Sequence, residues 1–376
     1  MNFDLSDEQT MLAEGARRYV RENLGIEARR SAATSADGFS RKHWGDFAEL
    51  GWLALAVPED AGGLGNGDAE LSLLLEELGR GLAIEPYTDT AVLGATLVNA
   101  ADAAELREQL LGSIAAGKCI TALAHVEPAG RSEYQTPVAI RATSDSGRWL
   151  LSGAKTRVHH AAAASHWVVS ARTSDAEGFS LFVVEPNAGG AALDEYEVID
   201  GTRAGDIRFS NTPAQLLIRD ARRAAVTLEL ALDRAMVALA AWTLGSMEAV
   251  ITLTADYLKQ RTQYGQALSK FQALQHRMAE MFIETEQARS MLMQALAALE
   301  SGDPLRRARA ASGAKALIAQ SACLVAGQGI QLHGGIGITE EYAVAHHYKS
   351  SLVFDKRFGD RDFHLARSSG LAQGPA

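Results

Sequence analysis

Apolar positions fall into three regimes along this chain. Over residues 1–118 they recur at three- and four-residue steps, the helical period. Met11, Leu12, Tyr19, Val20 and Leu24 follow Ser6-Asp7-Glu8-Gln9, a capping box that opens a helix. Trp44, Phe47 and Leu50 share one face of a helix over 40–53, with Ser40 as its N-cap. The Pro- and Gly-rich stretch from Val57 to Gly65 is a loop, and helix resumes over 71–82 with Gly81 as its stop. Glu85-Pro86-Tyr87 then breaks the chain before an alanine-rich helical stretch that is clearest over 106–114.

Between 119 and 225 the pattern shortens. Strands are predicted over 120–125, 138–143, 149–152, 166–172, 179–185 and 206–209, separated by Gly, Asn, Asp and Pro. Short strands at regular spacing read as a sandwich or barrel. From 226 the helical period returns, first over 228–259. A second helix carries Leu274, Met278, Met281, Phe282, Ala288, Leu292 and Leu296, and a turn at Ser301-Gly302-Asp303-Pro304 leads to a third over 305–327. Long amphipathic helices in antiparallel succession form a bundle. The expected fold class is α+β: an N-terminal helical domain (1–118), a middle β-barrel or sandwich domain (119–225) and a C-terminal four-helix bundle (226–376) whose tail frays from Ser368.

Length supports that division, since 376 residues exceed what one core usually holds. A net charge of −10 argues against a nucleic-acid partner, which needs a basic surface. Cys119 and Cys323 alone provide no disulfide framework and no CxxC metal pair, which fits a reducing cytoplasm. No metal is expected: His159-His160 and His346-His347 lack further ligands at metal spacing and are expected on the surface or in loops. The N-terminus is acidic and without an apolar signal core. No apolar run approaches the ~18 residues of a membrane span; residues 235–247 stop short at Glu248.

Two stretches carry candidate chemistry. One begins Arg261-Thr262-Gln263-Tyr264-Gly265 and continues past Gln272; the other runs Gln328-Gly329-Ile330-Gln331-Leu332-His333-Gly334-Gly335-Ile336-Gly337. Arginine offers charge and forked donors, and glycines admit phosphate oxygens to backbone amides. Both stretches sit at the ends of apolar helices, so a nucleotide diphosphate pinned between helices is expected. A surface ion pair for Arg261 and a helix crossing for the glycines are the plainer alternatives. His333 is expected to pack or cap.

With this order of domains, the Arg-x-Gln-aromatic-Gly and Gln-x-x-Gly-Gly-x-Gly stretches resemble the acyl-CoA dehydrogenase family over essentially the whole chain. Glu49-Leu50-Gly51-Trp52, Leu75-Glu76-Glu77-Leu78-Gly79 and Gly153-Ala154-Lys155 support the resemblance. It implies FAD, with the isoalloxazine against the β domain and the diphosphate and adenosine reaching a neighbouring subunit's bundle. Carried over by motif, Arg261, Gln263 and Tyr264 meet the diphosphate. Gln272 lies near the adenosine, and Gln331, Gly334 and Gly335 line the other side. It implies an acyl-CoA substrate, an electron-transfer flavoprotein as acceptor, and a tetramer.

The family's chemistry needs a carboxylate to take the α-proton while the β-hydrogen leaves as hydride to flavin. The usual glutamate positions are not filled. Asp360 is the best candidate base, with capping of the following helix as its alternative; Asp233 is the weaker candidate. Aspartate reaches ~1.5 Å less than glutamate, which suits a bulky or differently seated substrate. An aspartate base also occurs in the related nitroalkane oxidase, which keeps an oxidase open.

The flavin-side motifs depart from the family. Glu127-Pro128-Ala129-Gly130-Arg131-Ser132-Glu133 lacks the usual Ser-Asp, and Arg157 and His159 replace a tryptophan and a threonine that touch the ring. The resemblance therefore admits two forms: a working dehydrogenase, or a silent subunit of an α2β2 heteromer that clamps its partner's FAD, as in relatives acting on steroid-derived thioesters. A DNA-associated relative of the fold is disfavoured by the acidic charge. Ala235, Ala238, Ala240 and Ala241 leave room for a bulky acyl group or allow close helix packing.

Overall fold

The computed structural model describes residues 5–65, 67–137, 139–145, 148–174 and 177–372. Val138, in the second expected strand, and the last residues of the expected frayed tail lie outside them. Helices come first: α1 (Asp7–Asn23), α2 (Ile26–Ala33), α3 (Arg41–Glu49), α4 (Asp68–Arg80), α5 (Ala95–Asn99) and α6 (Ala104–Ala115). The strands are β1 (Thr121–Ala124), β2 (Arg141–Asp145), β3 (Arg148–His159), β4 (His166–Thr173), β5 (Ser180–Val184), β6 (Ala191–Glu197) and β7 (Arg203–Ile218). Then follow α7 (Ala221–Gln260), a small hairpin of β8 (Thr262–Gln263) and β9 (Gln266–Ala267), α8 (Gln272–Glu300), α9 (Pro304–His333), α10 (Ala343–Lys356) and α11 (Arg361–Ala372).

Contacts divide the chain into two compact units. One comprises Met1–Ser31, Asp68–Ala83 and Met236–Ala376; the other comprises Ala32–Gly67 and Ile84–Ala235.

The first unit is helical. The Ser6 box forms as its sequence implies, with the hydroxyl accepting from Gln9 N and the Gln9 amide returning to Ser6 N. Its tightest packing is between α4 and α7. A Cβ on Gly79 would lie 1.8 Å from the Trp242 carbonyl oxygen, and one on Gly245 would lie 1.8 Å from that of Glu76. The two backbones touch, and neither position admits a side chain. Around this contact, Leu75 and Leu78 enter the core, while Glu76 and Glu77 enter a charge ladder. Glu77 accepts from Arg17 at 2.8 Å and from Arg80 at 3.2 Å; Arg80 and Arg289 both reach Glu248, and Arg289 reaches Glu76 at 3.1 Å. The Leu-Glu-Glu-Leu-Gly motif is thereby accounted for residue by residue.

The second unit holds the β domain. The strands β4, β2, β3, β7 and β5 pair in turn, and β5 pairs back to β4. This ring closes a barrel and decides between the two expected β architectures. β1 adds parallel to β4, and β6 adds to β7. β3 and β7 run far beyond their apolar stretches because paired neighbours carry the polar residues. β6 was not expected: Asp194, Glu195 and Glu197 leave no apolar alternation, and pairing with β7 makes it a strand. The stretch Thr88–Gly94, expected as helix, is a wholly buried π-helical turn.

Two expectations are corrected. His160, His346 and His347 are buried; His347 exchanges a hydrogen bond with the Ser246 hydroxyl at 2.7 Å, and His346 lies against the Glu340 carbonyl at 3.0 Å. Polar neighbours, near in sequence for His346 and distant for His347, make that burial tolerable. By length and composition two segments could cross a membrane: windows of mean hydropathy 1.6 in α7 and 1.2 in Pro304–Ile338. The share of those windows buried in the protein is 67% and 61%, as for core helices.

Gly245→Ala is expected to destabilise the protein by about 3 kcal/mol, the upper range for overpacking, read as a lower urea midpoint with unchanged slope. Burial also pushes His125, His347 and His364 down to about 3. Below about pH 6.5 the unfolded chain takes up protons that these folded sites refuse, so stability is lost as pH falls from there toward 3. Urea midpoints measured from pH 7 to pH 4.5 check this.

Candidate functional site

The C-terminal end of α7 runs directly into the β8–β9 hairpin. Its two turn residues, Tyr264 (φ 54°) and Gly265 (φ 79°), are both left-handed, the signature of a tight two-residue hairpin. The hairpin returns the chain at once, with Leu268 N–H donating to the Arg261 carbonyl at 2.8 Å. The C-terminal end of α9 stops at Gly334, whose φ of 66° and ψ of −142° suit only glycine. The two ends border one groove of about 650 Å³, lined by Arg261, Gln263, Arg277, Gln331, His333, Gly334 and Gly335 among others.

Five of the seven residues expected to hold cofactor are thus together. Tyr264 and Gln272 are not among the lining residues. Tyr264 is 90% exposed and stands edge-on to Phe271, while Gln272 opens α8 as an exposed residue. Arg277 escaped the sequence reading. It lies one turn beyond Leu274 on α8 and brings a second guanidinium to the groove. Among the described residues, none of those lining it is acidic.

The glycines answer the question left open by their sequence. Cβ atoms built on Gly334 and Gly335 meet nothing within 4 Å, whereas one on Gly329 meets Val250 at 2.5 Å and one on Gly337 meets the Ile330 carbonyl at 2.8 Å. Packing within this chain requires glycine at 329 and 337; at 334 and 335 the backbone is bare toward open space. Such a surface, beside two guanidiniums and two carboxamides, has the donor set a diphosphate needs. His333 forms part of the wall, stacked on Tyr257 and Tyr342. Its Nδ1 lies 2.7 Å from the Gly329 carbonyl and must carry the proton, so Nε2 accepts from the Tyr342 hydroxyl at 3.2 Å. Burial holds this imidazole below its ordinary pKa; it is packed, as expected, and neutral.

Asp360 follows two left-handed residues, Phe358 (φ 58°) and Gly359 (φ 98°), in a sharp turn. Its Oδ1 accepts from Phe363 N at 3.0 Å, capping α11, and Oδ2 lies 3.8 Å from the Lys356 ammonium. Asp233 is fully buried on α7, and its Oδ1 accepts from the Tyr134 hydroxyl at 2.9 Å. In the β unit Arg157 is left-handed (φ 56°). Its backbone N–H donates to Asp206 at 3.0 Å and its Nη2 to the Gly130 carbonyl at 2.9 Å. The two segments that depart from the family motifs are therefore tied to each other.

Three family models match in succession: the acyl-CoA dehydrogenase N-terminal domain over residues 6–118, the middle domain over 122–212 and the C-terminal domain over 223–367. The chain belongs to the acyl-CoA dehydrogenase family. It is 27% identical to a probable acyl-CoA dehydrogenase, YngJ, of Bacillus subtilis over 92% of both chains. It is 29% identical to the acyl-CoA dehydrogenase IpdE2 of Mycobacterium tuberculosis, covering 91% of this chain and 90% of that one. A solved Tcur3481–Tcur3483 steroid ACAD variant superposes with a TM-score of 0.88 at 32% identity, covering 98% of each chain. Membership establishes the general chemistry as FAD-dependent acyl-CoA dehydrogenation.

Arg261→Ala and Arg277→Ala are each expected to weaken FAD binding by roughly ten- to a hundredfold, the scale of a lost charge-assisted hydrogen bond. The loss should shrink at high salt; fluorescence titration of FAD at two ionic strengths checks it.

Proposed function

We propose that this chain is a subunit of an FAD-dependent acyl-CoA dehydrogenase that introduces an α,β double bond into a bulky, steroid-derived acyl thioester. The observation that carries the reading is the groove: two arginines, two glutamines and two glycines with open space before them, with no acid among the lining residues. Those residues would bind the diphosphate of FAD, which when bound accepts the β-hydrogen as hydride. Tyr264 and Gln272, exposed nearby in sequence, would serve the same cofactor's diphosphate and adenosine. The 32% identity to a steroid ACAD supports the acyl class. Domain limits of 1–118, 119–225 and 226–376, an electron-transfer flavoprotein as acceptor and a cytoplasmic tetramer belong to the same proposal.

Asp360 is the proposed base. Its turn is sharply constrained, one carboxylate oxygen is committed to Phe363, and the other lies 3.8 Å from the Lys356 ammonium. The committed oxygen fixes the carboxylate's orientation, and the other takes the α-proton. Asp233 is the competing base, buried and already oriented by Tyr134. Asp360→Asn should keep its FAD while flavin bleaching by acyl-CoA slows by roughly 10²–10⁴-fold. Full bleaching in that variant, with loss in Asp233→Asn, would transfer the role.

One observation favours the second reading, a silent subunit that clamps a partner's FAD in an α2β2 assembly. Arg157 holds its segment against Gly130, where the resemblance sets the flavin ring. Flavin per chain after purification of the solitary protein decides this. One tightly held FAD per chain supports a flavin of its own; an apoprotein that gains FAD only with a partner chain supports the clamp.

A further inference from the structure

The β unit contains a polar node that the proposed reaction does not use. Lys155, on β3, is fully buried. Its ammonium donates to the His125 carbonyl at 2.8 Å and to the Ser170 hydroxyl at 3.1 Å, and lies 3.5 Å from the Glu127 carboxylate. These acceptors come from the end of β1, from β4 and from the loop after β1. Glu127 is itself held at both oxygens, accepting from Ala139 N at 2.9 Å and Ile140 N at 3.0 Å.

Donor and acceptor rules give the node a direction. Burial lowers the Lys155 pKa to about 7, with the Glu127 carboxylate opposing; charged or neutral, its N–H donates to Ser170, whose single proton goes to His125. His125 Nε2 lies 2.8 Å from the Gln135 carbonyl, which can only accept, so Nε2 carries a proton. The imidazole is neutral, because burial and the Lys155 charge hold it down to about 3. Its Nδ1, 2.7 Å from Ser170 Oγ, is therefore bare and accepts the serine proton. The sequence of donation is Lys155 to Ser170, Ser170 to His125, His125 to the Gln135 carbonyl. Gln135 is also bound from its side chain, whose Oε1 accepts from Arg131 N at 2.7 Å. The residue before it, Tyr134, donates to the buried Asp233. Burying an ammonium costs several kcal/mol before its partners are counted, and a fully satisfied network of this kind specifies one geometry.

We propose that Lys155 is a positioning residue: acting through Ser170 and His125, it locks the loop Val126–Gln135 and sets where Tyr134 meets Asp233. Lys155 touches neither end of that contact; the two intermediate side chains transmit its hold. Only the catalytic consequence rests on the dehydrogenase reading.

Ser170→Ala tests this with the least change of volume and no change of charge. In 15N-histidine spectra of the full chain, with the His125 signals assigned by their loss in His125→Gln, wild type should show the Nε2–H tautomer. In Ser170→Ala the Gln135 carbonyl should keep that tautomer, while the Nδ1 signal shifts because it loses the serine donor. Amide exchange over residues 131–137 should rise about tenfold, as for one lost hydrogen bond, with exchange in β4 and β5 unchanged. In the FAD-loaded protein kcat should fall about tenfold at constant KM. A native Nδ1–H tautomer overturns the proposal, and so does loop exchange that stays at the wild-type rate or rises equally throughout the barrel. If wild type itself shows no turnover, the dehydrogenase reading fails, and the tautomer and exchange measurements still decide the role of Lys155. Tyr134→Phe is the second variant: it should loosen 131–137 while leaving the His125 tautomer intact, and a changed tautomer there counts against the direction of the chain.

Discussion

Two glycines that leave no room between α4 and α7 set the geometry of the helical unit. At Gly79 and Gly245 each backbone rests on a carbonyl of the other helix. Such an approach fixes both the separation and the register of the helices, since a slide by one residue would bring a side chain into the contact. The charge ladder from Arg17 to Arg289 then surrounds a crossing already determined by shape. Buried or half-buried ion pairs are weak sources of net stability; here they satisfy carboxylates that the crossing draws inward.

The groove between the ends of α7 and α9 inherits this precision. α7 ends one residue before Arg261, so whatever orients α7 orients the guanidinium and the hairpin after it. The other wall is the end of α9, held by Gly329 against Val250 and by His333 between two tyrosines. Rigid walls with bare glycine backbone between them suit a ligand that must meet many donors at once, because little ordering remains to be done on binding.

The β unit follows a different logic. Its barrel closes through β4 and β5, and a few of its polar residues are turned inward. A lysine, a glutamate, a histidine and a serine share one buried node, and the strained Arg157 turn joins the neighbouring segment to Gly130. Low polarity around the node strengthens each bond and raises the cost of losing one. The helical unit offers an open, solvated donor array; the β unit offers a closed network that holds loops in place.

The features legible in the sequence were those set by near neighbours. The Ser6 box, the Ser40 cap and the long helices depend on residues within a turn of one another, and periodicity reports them directly. The family motifs extended that reach to Arg261, Gln263 and Gln331. What stayed hidden depends on distant partners. β6 is a strand because β7 lies beside it; His160 and His347 are buried beside Asp89 and Ser246, remote in sequence; Arg277 joins the groove because α8 folds back on α7 and α9. The sequence by itself determined the long helices and the strands of apolar character. Tertiary structure alone decided that Lys155 and Asp233 are buried, because burial and distant hydrogen-bond partners are properties of the assembled chain and not of any local stretch.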